Sequence, residues 1–160
     1  MYRTTLIDAV QCEEKADIVF LIDSSGSVQE TSAENWKLVL TFIGGIVNRL
    51  PVSRDEIRIG ALEFSSDAIT ESILYLNNDL NKANLERTIG SMHHYGGNTN
   101  TAAALRMCRE LMFHESKGHR AGVRSIAILL TDGISNVNSN ATSSEARSLK
   151  QAGVQQFLTQ

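Results

Sequence analysis

A run of large apolar residues that ends in a carboxylate constrains the fold more than any other stretch of this chain. The run is Ile18-Val19-Phe20-Leu21-Ile22, and Asp23 follows it directly. A short, continuous apolar run bounded by polar residues is typical of a strand that is buried on both faces of a parallel sheet. We therefore predict a central strand with Asp23 at its carboxyl end.

A second apolar strand is predicted from Val123 to Leu130, and it ends in Thr131-Asp132-Gly133. Helical patterns alternate with the strands along the chain. Such alternation implies right-handed crossovers and a mostly parallel sheet that carries helices on both faces. The expected fold class is therefore α/β, a doubly wound, Rossmann-like sheet in which the two most apolar strands are central neighbours.

The clearest helix is predicted after the first strand. Thr31-Ser32-Ala33-Glu34 has the pattern of a capping box, in which the threonine hydroxyl and the glutamate carboxylate satisfy backbone donors. Pro51 ends the helix, because proline disfavours the helical conformation in the residue before it. The apolar residues in between recur at helical spacing and form one stripe: Trp36, Val39, Leu40, Ile43, Ile46, Val47 and Leu50.

Two neighbouring segments, 57–64 and 68–75, both have strand patterns and are separated by a short polar break. A short connection of this kind predicts a hairpin, and hence one antiparallel strand at an edge of the sheet. The remaining elements are helices over 81–92 and 101–113, a capping box at Thr142-Ser143-Ser144-Glu145 that opens a helix to about Gln151, and a last strand from Val154.

Length and charge narrow the class of protein. At 160 residues the chain has the size of one domain. Its formal net charge of −3, without a cluster of Lys and Arg, argues against nucleic-acid binding. No apolar run approaches the length of a membrane span. Residues 1–15 show no clear periodicity, lack the pattern of a signal peptide, and are interpreted as a lead-in to the domain.

The two cysteines do not have the spacing of a zinc site. Cys108 shares a predicted helical face with apolar residues, which favours a buried thiol. A disulfide between Cys108 and Cys12 remains the alternative, because sequence alone cannot establish the geometry of such a bond. His93 and His94 are adjacent, but no third nitrogen or sulfur ligand lies nearby in sequence to complete a zinc site.

Oxygen-bearing side chains are expected at one edge of the predicted sheet. Asp23 and Asp132 stand at the carboxyl ends of neighbouring strands, where open α/β sheets bind their ligands. Two like charges in such proximity need a cation between them. Ser25, Ser27 and Thr99 add hydroxyls from two loops. A pocket of oxygens alone suits Mg²⁺, Mn²⁺ and Ca²⁺ and suits zinc poorly.

Three stretches carry a resemblance to a known family: Ala16–Ser27, Tyr95–Thr101 and Ile128–Gly133. With them the chain resembles the von Willebrand factor type A domains, which include integrin inserted domains, matrilins and collagen-associated modules. The similarity runs from about Ala16 to Val154 and includes the order of strands and helices.

The resemblance implies a metal-ion-dependent adhesion site formed by Asp23, Ser25, Ser27, Thr99 and Asp132. By the family's pattern, Ser25 and Ser27 bind the ion directly and Thr99 binds directly or through water. The two aspartates act mostly through bridging waters. One coordination position stays open for an acidic side chain of a protein partner, and collagen or another matrix protein is the expected class of partner. Mg²⁺ fits a small hydroxyl-lined pocket better than Ca²⁺.

We interpret the chain as a non-enzymatic adhesion module, in preference to two other functions. A serine hydrolase is disfavoured because Asp23 stands where the Gly-x-Ser-x-Gly motif needs its first glycine. A structural assembly module of an extracellular matrix protein, with a merely structural metal, remains open. Asn140-Ala141-Thr142 is a glycosylation sequon and, with the resemblance, favours an extracellular location.

The resemblance also predicts a departure from the family's pattern. Residues 16–160 are expected to form a domain that lacks the last strand and helices of its relatives, so that apolar sheet surface is left uncovered. Exposed apolar surface costs roughly 25 cal/mol per Å², against a total stability of about 5–15 kcal/mol. We therefore expect marginal stability of the isolated chain.

Overall fold

Four parallel strands form one sheet in the computed structural model, which describes residues 15–30, 32–78 and 81–159. Their order across the sheet is β2-β1-β3-β4. The two apolar strands of the sequence are therefore central neighbours, as predicted. The strands are β1 (Ala16–Asp23), β2 (Ile57–Phe64), β3 (Arg124–Leu130) and β4 (Val154–Thr159).

The central position of β1 explains its continuous apolar sequence. All eight residues of β1 are buried, because the strand has a neighbour on each side and helices above and below. Ile18 is in register with Ile59 on β2 and with Ile126 on β3. This register brings the carboxyl ends of β1 and β3 to the same edge of the sheet.

Helices cover both faces of the sheet, which confirms the predicted α/β architecture. The first two helices pack on one face, and the last two pack on the other together with a π-helical turn at Cys108–Met112. The helices are α1 (Glu34–Arg49), α2 (Lys82–Gly90), α3 (Thr101–Met107) and α4 (Ser139–Gln151). Short 3₁₀ turns occupy Gly26–Gln29 and Glu115–Lys117.

The apolar stripe of α1 packs against the sheet as predicted. Trp36, Leu40, Ile43 and Val47 are buried. The indole nitrogen of Trp36 also donates a hydrogen bond to the carbonyl of Met92, at 3.0 Å, so that the start of α1 is tied to the segment that follows α2.

Capping boxes were predicted at the starts of α1 and α4. At α1 the helix begins at Glu34 after Ala33, the Ser32 hydroxyl accepts from the Glu34 amide at 3.2 Å, and Thr31 lies outside the described residues. The start of α4 predicted at the Thr142–Glu145 box was wrong. That helix begins at Ser139, after Asn138 in a left-handed conformation (φ 49°), so Thr142 lies within the helix.

The antiparallel edge strand predicted over 68–75 is also wrong. This segment contacts β2 only through isolated antiparallel bridges, Phe64 with Ala68 and Ala61 with Leu74. The backbone turns between the two bridges, around Glu71, so no continuous ladder can form. All strand pairs in the described sheet are parallel.

The thiol of Cys108 is fully buried on the second face of the sheet, as predicted for a small apolar side chain. Burial raises the pKa of the Cys108 thiol well above its usual range, which keeps it protonated and unreactive. Cys108 has no disulfide partner among the described residues, and Cys12, the alternative partner, lies outside them.

The outer strand β4 is more exposed than the other strands. It pairs with β3, and its side chains Phe157 and Leu158 are 57% and 61% exposed. Within the described ranges, no helix has both the length and the apolar character that a membrane crossing requires.

A buried ion pair fastens the amino end of the sheet. The carboxylate of Asp17 is fully buried and accepts hydrogen bonds from the Arg120 guanidinium at 2.6 and 2.9 Å, and from the Arg120 amide and His119. The same guanidinium donates to the carbonyls of Asp55 and Glu56. Arg120 therefore joins the start of β1 to the loop that enters β2.

We expect Asp17→Asn to destabilise the fold by about 3 kcal/mol, because loss of one partner leaves a largely buried charge uncompensated. Urea unfolding measures the change. Glu110→Gln is the matched control, since Glu110 pairs with Arg109 while 55% exposed and such surface pairs contribute at most about 1 kcal/mol. Equal effects of the two substitutions would contradict the assignment.

Candidate metal centre

Asp23 lies at the carboxyl end of β1 and is 2% exposed. One carboxylate oxygen accepts from the Ser25 amide at 2.9 Å, and the other accepts from the Thr131 hydroxyl at 2.5 Å. These bonds fix the orientation of the carboxylate. Each oxygen keeps a further lone pair, so Asp23 can still accept from water or bind a cation.

Three further oxygens form a connected chain at this edge of the sheet. The hydroxyls of Ser25 and Ser27 are 3.1 Å apart, and the Ser27 hydroxyl donates to the Asp132 carboxylate at 3.0 Å. Ser25 is buried, whereas Ser27 and Asp132 are exposed. The site therefore has an open side next to Ser27 and Asp132.

Thr99 is placed by a different loop and is 4% exposed. Its amide donates to the side chain of Asn136 at 2.9 Å, and its carbonyl accepts from the amides of Asn136 and Val137 and from the Ser135 hydroxyl. The loop that follows Asp132 thus fixes the backbone of Thr99. In turn, Thr99 helps to hold that loop in place.

The loop of residues 91–97 packs directly on the serine loop after β1. The Gly96 amide donates to the carbonyl of Ser24 at 2.8 Å, and the Gly26 amide donates to the carbonyl of Gly97 at 2.9 Å. Both Gly96 and Gly97 have positive φ, which glycine adopts without strain, and a Cβ on Gly97 would lie 2.9 Å from the Ser66 hydroxyl. The glycine pair therefore adopts this turn without strain, and Gly97 lets the loop pass close to Ser66.

The histidine side chains of the 91–97 loop lie close to backbone carbonyl groups. The Nε2 atom of His94 is 2.8 Å from the carbonyl of Ser25, and its ring packs against Trp36 with 5.5 Å between ring centroids. The Nδ1 atom of His93 is 2.9 Å from the carbonyl of Ser91. Across the described part of the chain, no three His, Cys, Asp or Glu side chains group as metal ligands.

The oxygens present fit a small divalent cation. Octahedral ligands at about 2.0–2.1 Å from Mg²⁺ have neighbouring oxygens about 3 Å apart, and the longer bonds of Ca²⁺ require a wider spacing. The 3.1 Å between the Ser25 and Ser27 hydroxyls matches the smaller ion. These two hydroxyls, with Thr99 and the aspartates Asp23 and Asp132, would hold the ion.

Sequence reasoning missed several residues that position the predicted ones. Thr131 orients Asp23, Asn136 binds the backbone of Thr99, and the Ser24 hydroxyl accepts from the Tyr95 amide at 2.8 Å. Thr131 and Ser24 are sequence neighbours of predicted ligands, and this proximity could have indicated their positioning role. Asn136 carried no such signal, because its partner lies 37 positions away.

Comparison with known sequences assigns the family. The sequence model of the von Willebrand factor type A domain matches residues 17–159, and the chain belongs to this family. It is 36% identical over 123 residues to human collagen alpha-6(VI) chain, covering 76% of this chain and 5% of that protein. It is 34% identical over 133 residues to human matrilin-1, covering 83% of this chain and 26% of that protein. The chain therefore spans a small part of these relatives.

Solved structures support the same assignment. Proximal thread matrix protein 1 from the mussel byssus, with a zinc-occupied MIDAS motif, superposes with a TM-score of 0.85 at 29% identity, covering 92% of this chain and 38% of that one. The manganese-loaded TRAP protein of Plasmodium vivax superposes with a TM-score of 0.74 at 26% identity, covering 92% of this chain and 57% of that one. Structures of similar fold have thus been solved with divalent metal ions.

We expect Thr131→Val to weaken Mg²⁺ binding about tenfold, because residues that orient a metal-binding carboxylate typically contribute 10–100-fold in affinity. Isothermal titration calorimetry measures the change. Thr131→Ser keeps the hydroxyl that donates to Asp23 and is expected to bind like the wild type. Unchanged affinity in the valine variant would show that Thr131 does not position the site.

Proposed function

We propose that this chain is a non-enzymatic adhesion module that holds one divalent cation and, through it, an acidic side chain of a protein partner. The cation is held by Asp23, Ser25, Ser27, Thr99 and Asp132. The observation that carries the proposal is the series of hydrogen bonds at the carboxyl edge of the sheet, from the Asp23 carboxylate through the Ser25 amide and the two serine hydroxyls to Asp132.

The composition of the site favours an ion that can accept one more anionic ligand. Three of the five side chains are neutral hydroxyls, so the charge of the cation is compensated only in part. A partner carboxylate can complete the shell, and its attraction to the ion is strongest where the interface excludes water. Binding at an ion therefore gives a direct chemical basis for recognition of acidic residues.

The exposure of the site residues defines the side from which a partner approaches. Asp23, Ser25 and Thr99 are buried, whereas Ser27 and Asp132 face solvent. A partner carboxylate would thus reach the ion beside Ser27 and Asp132. The buried members would serve to fix the ion from below.

The relatives suggest the class of partner and the location. The chain resembles collagen VI and matrilin chains, and we propose an extracellular protein whose partner is a collagen or another matrix protein. We propose Mg²⁺ as the ion on the spacing of the serine hydroxyls. The zinc-occupied relative shows that our sequence-based argument against zinc does not hold throughout the fold.

A structural assembly module is the second candidate function. The exposed apolar side chains of β4, Phe157 and Leu158, favour it, because they offer a contact surface away from the metal site. In that case the ion would stabilise the loops without binding a partner. The two functions differ in whether partner binding requires the ion.

We expect Mg²⁺ at about a hundredfold excess over its dissociation constant to stabilise the fold by about 2.7 kcal/mol relative to EDTA, a rise of about 5–10 °C in Tm for a domain of this size. Thermal unfolding followed by circular dichroism measures the shift. Ser27→Ala, at an exposed position, should remove the rise while leaving the protein folded, and Ser143→Ala on α4 is the matched control. A folded wild type without a shift would contradict the metal site.

Adhesion through the ion predicts that binding to immobilised collagen requires Mg²⁺. We expect surface plasmon resonance to show binding in Mg²⁺, at least a tenfold loss in EDTA, and the same loss for Ser27→Ala but not for Ser143→Ala. Binding that persists in EDTA would support the structural assembly function. A normal metal shift without collagen binding would exclude collagen as the partner and leave the metal site intact.

A further proposal concerns the sequon at Asn140, which is exposed in the first turn of α4. We expect secretion from a eukaryotic host to attach an N-linked glycan there. Mass spectrometry with and without glycosidase would show a mass difference that Asn140→Gln removes. An unmodified Asn140 in secreted protein would contradict this assignment.

A further inference from the structure

Glu63 is a buried carboxyl group that the metal site does not use. It lies on β2, in register with Ile22 of β1, and is 0% exposed. Neither of its carboxyl oxygens has a hydrogen-bond partner among the described residues. The hydroxyl of Ser72 is also buried and makes no hydrogen bond. It lies close enough to Glu63 to lower the pKa of the carboxyl group.

Burial makes the charged form of Glu63 unfavourable. Loss of water around the group raises the pKa of Glu63 from 4.5 to about 7, and Ser72 and the charge of His93 lower it by smaller amounts. An unpaired carboxylate in such a position is costly, so the group takes up a proton or gains access to water.

Few ionisable groups near Glu63 act on its carboxyl group. His93 is on the 91–97 loop, and its charge acts on Glu63. Asp67 and Glu71, on the segment that follows β2, are exposed. Asp23, at the end of the neighbouring strand, is hydrogen-bonded to Ser25 and Thr131 and makes no hydrogen bond to Glu63. Among the described residues of the strands, helices and loops around it, His93 is the one charged group that shifts the pKa of Glu63.

The 91–97 loop connects the neighbourhood of Glu63 with the metal site. His93 and Tyr95 flank the histidine that contacts the carbonyl of Ser25, and the Tyr95 amide and Gly96 amide both donate to Ser24. Displacement of this loop would therefore remove contacts that hold the serine loop. Met92 of this loop packs in the same apolar cluster as Ile22 and Ala61, which lie beside Glu63 on its face of the sheet.

We propose that Glu63 is a buried proton-binding switch whose ionisation opens the 91–97 loop and loosens the serine loop of the metal site. When Glu63 is neutral, the loop stays packed on Ser24 and Gly26. When Glu63 is ionised, hydration of the carboxylate favours the opened loop. Opening of the loop on ionisation of Glu63 is independent of the proposed function. The effect on metal affinity rests on the proposed function.

The sign of the pH dependence follows from the raised pKa. A carboxyl whose pKa is higher in the folded than in the unfolded state stabilises the fold fully below its unfolded value, and this contribution is lost as the pH rises through the folded value. Stability should thus fall between about pH 4.5 and 7. Metal affinity should fall as the pH rises through neutrality, which is opposite to the effect of deprotonating metal ligands.

The single tryptophan gives a readout that needs no metal. Trp36 contacts the 91–97 loop through the carbonyl of Met92 and the ring of His94, so its fluorescence reports the position of the loop. We expect a fluorescence transition near pH 7 in metal-free wild type. It should be absent in Glu63→Gln and present in Glu71→Gln, an exposed carboxyl on the adjacent segment.

Two further measurements complete the test. At pH 8, Glu63→Gln should increase the folding equilibrium constant at least about tenfold relative to wild type, and at pH 5 the difference should be smaller. Between pH 6 and 8.5, Mg²⁺ affinity from calorimetry should fall at least about threefold in wild type and Glu71→Gln, and stay constant in Glu63→Gln.

A fluorescence transition that persists unchanged in Glu63→Gln would arise from another group and would overturn the proposal. The same holds if Glu63→Gln gives no gain in stability at pH 8. A metal affinity that falls equally in Glu63→Gln would overturn the link to the metal site. If no variant binds Mg²⁺ at any pH, the proposed function fails, while fluorescence and stability still decide whether Glu63 controls the loop.

Discussion

The pairing of β1 with β3 is the contact on which the rest of the structure depends. Both strands are central, and their parallel register places Asp23 beside the chain that continues into Thr131 and Asp132. An antiparallel arrangement would have put these groups at opposite edges of the sheet. The helices on the two faces bury β1 completely and β3 in part, and this burial fixes the register because a shift of one residue would move every side chain to the other face.

The site at this edge is assembled from three loops that hold one another. The serine loop after β1 is bonded to the 91–97 loop, and Thr99 is bonded to the loop that follows Asp132. Hydrogen bonds within the serine loop and between the loops together give the oxygens their positions. Metal binding would add a further link among the same loops, which is the physical reason to expect the ion to stabilise the fold.

Three buried carboxyl groups differ in their partners, and their roles differ accordingly. Asp17 is paired with Arg120 and joins strands at the amino edge, and Asp23 is held by hydrogen bonds at the carboxyl edge. Glu63 has neither kind of partner. Burial without compensation favours the neutral acid and raises the pKa of Glu63 to about 7. The charge state of this unpaired group can therefore change near neutral pH.

The sequence by itself determined the α/β class, the central strands and the expected edge for the oxygen-bearing residues, because apolar runs and helical periodicity are local signals of burial. These local signals did not predict features that depend on contacts between residues far apart in sequence. Residues 68–75 have a strand pattern but bend away from β2, and α4 starts before its apparent capping box. The roles of Thr131, Asn136 and Glu63 were likewise decided only by the tertiary structure, since each depends on groups brought together from separate strands and loops.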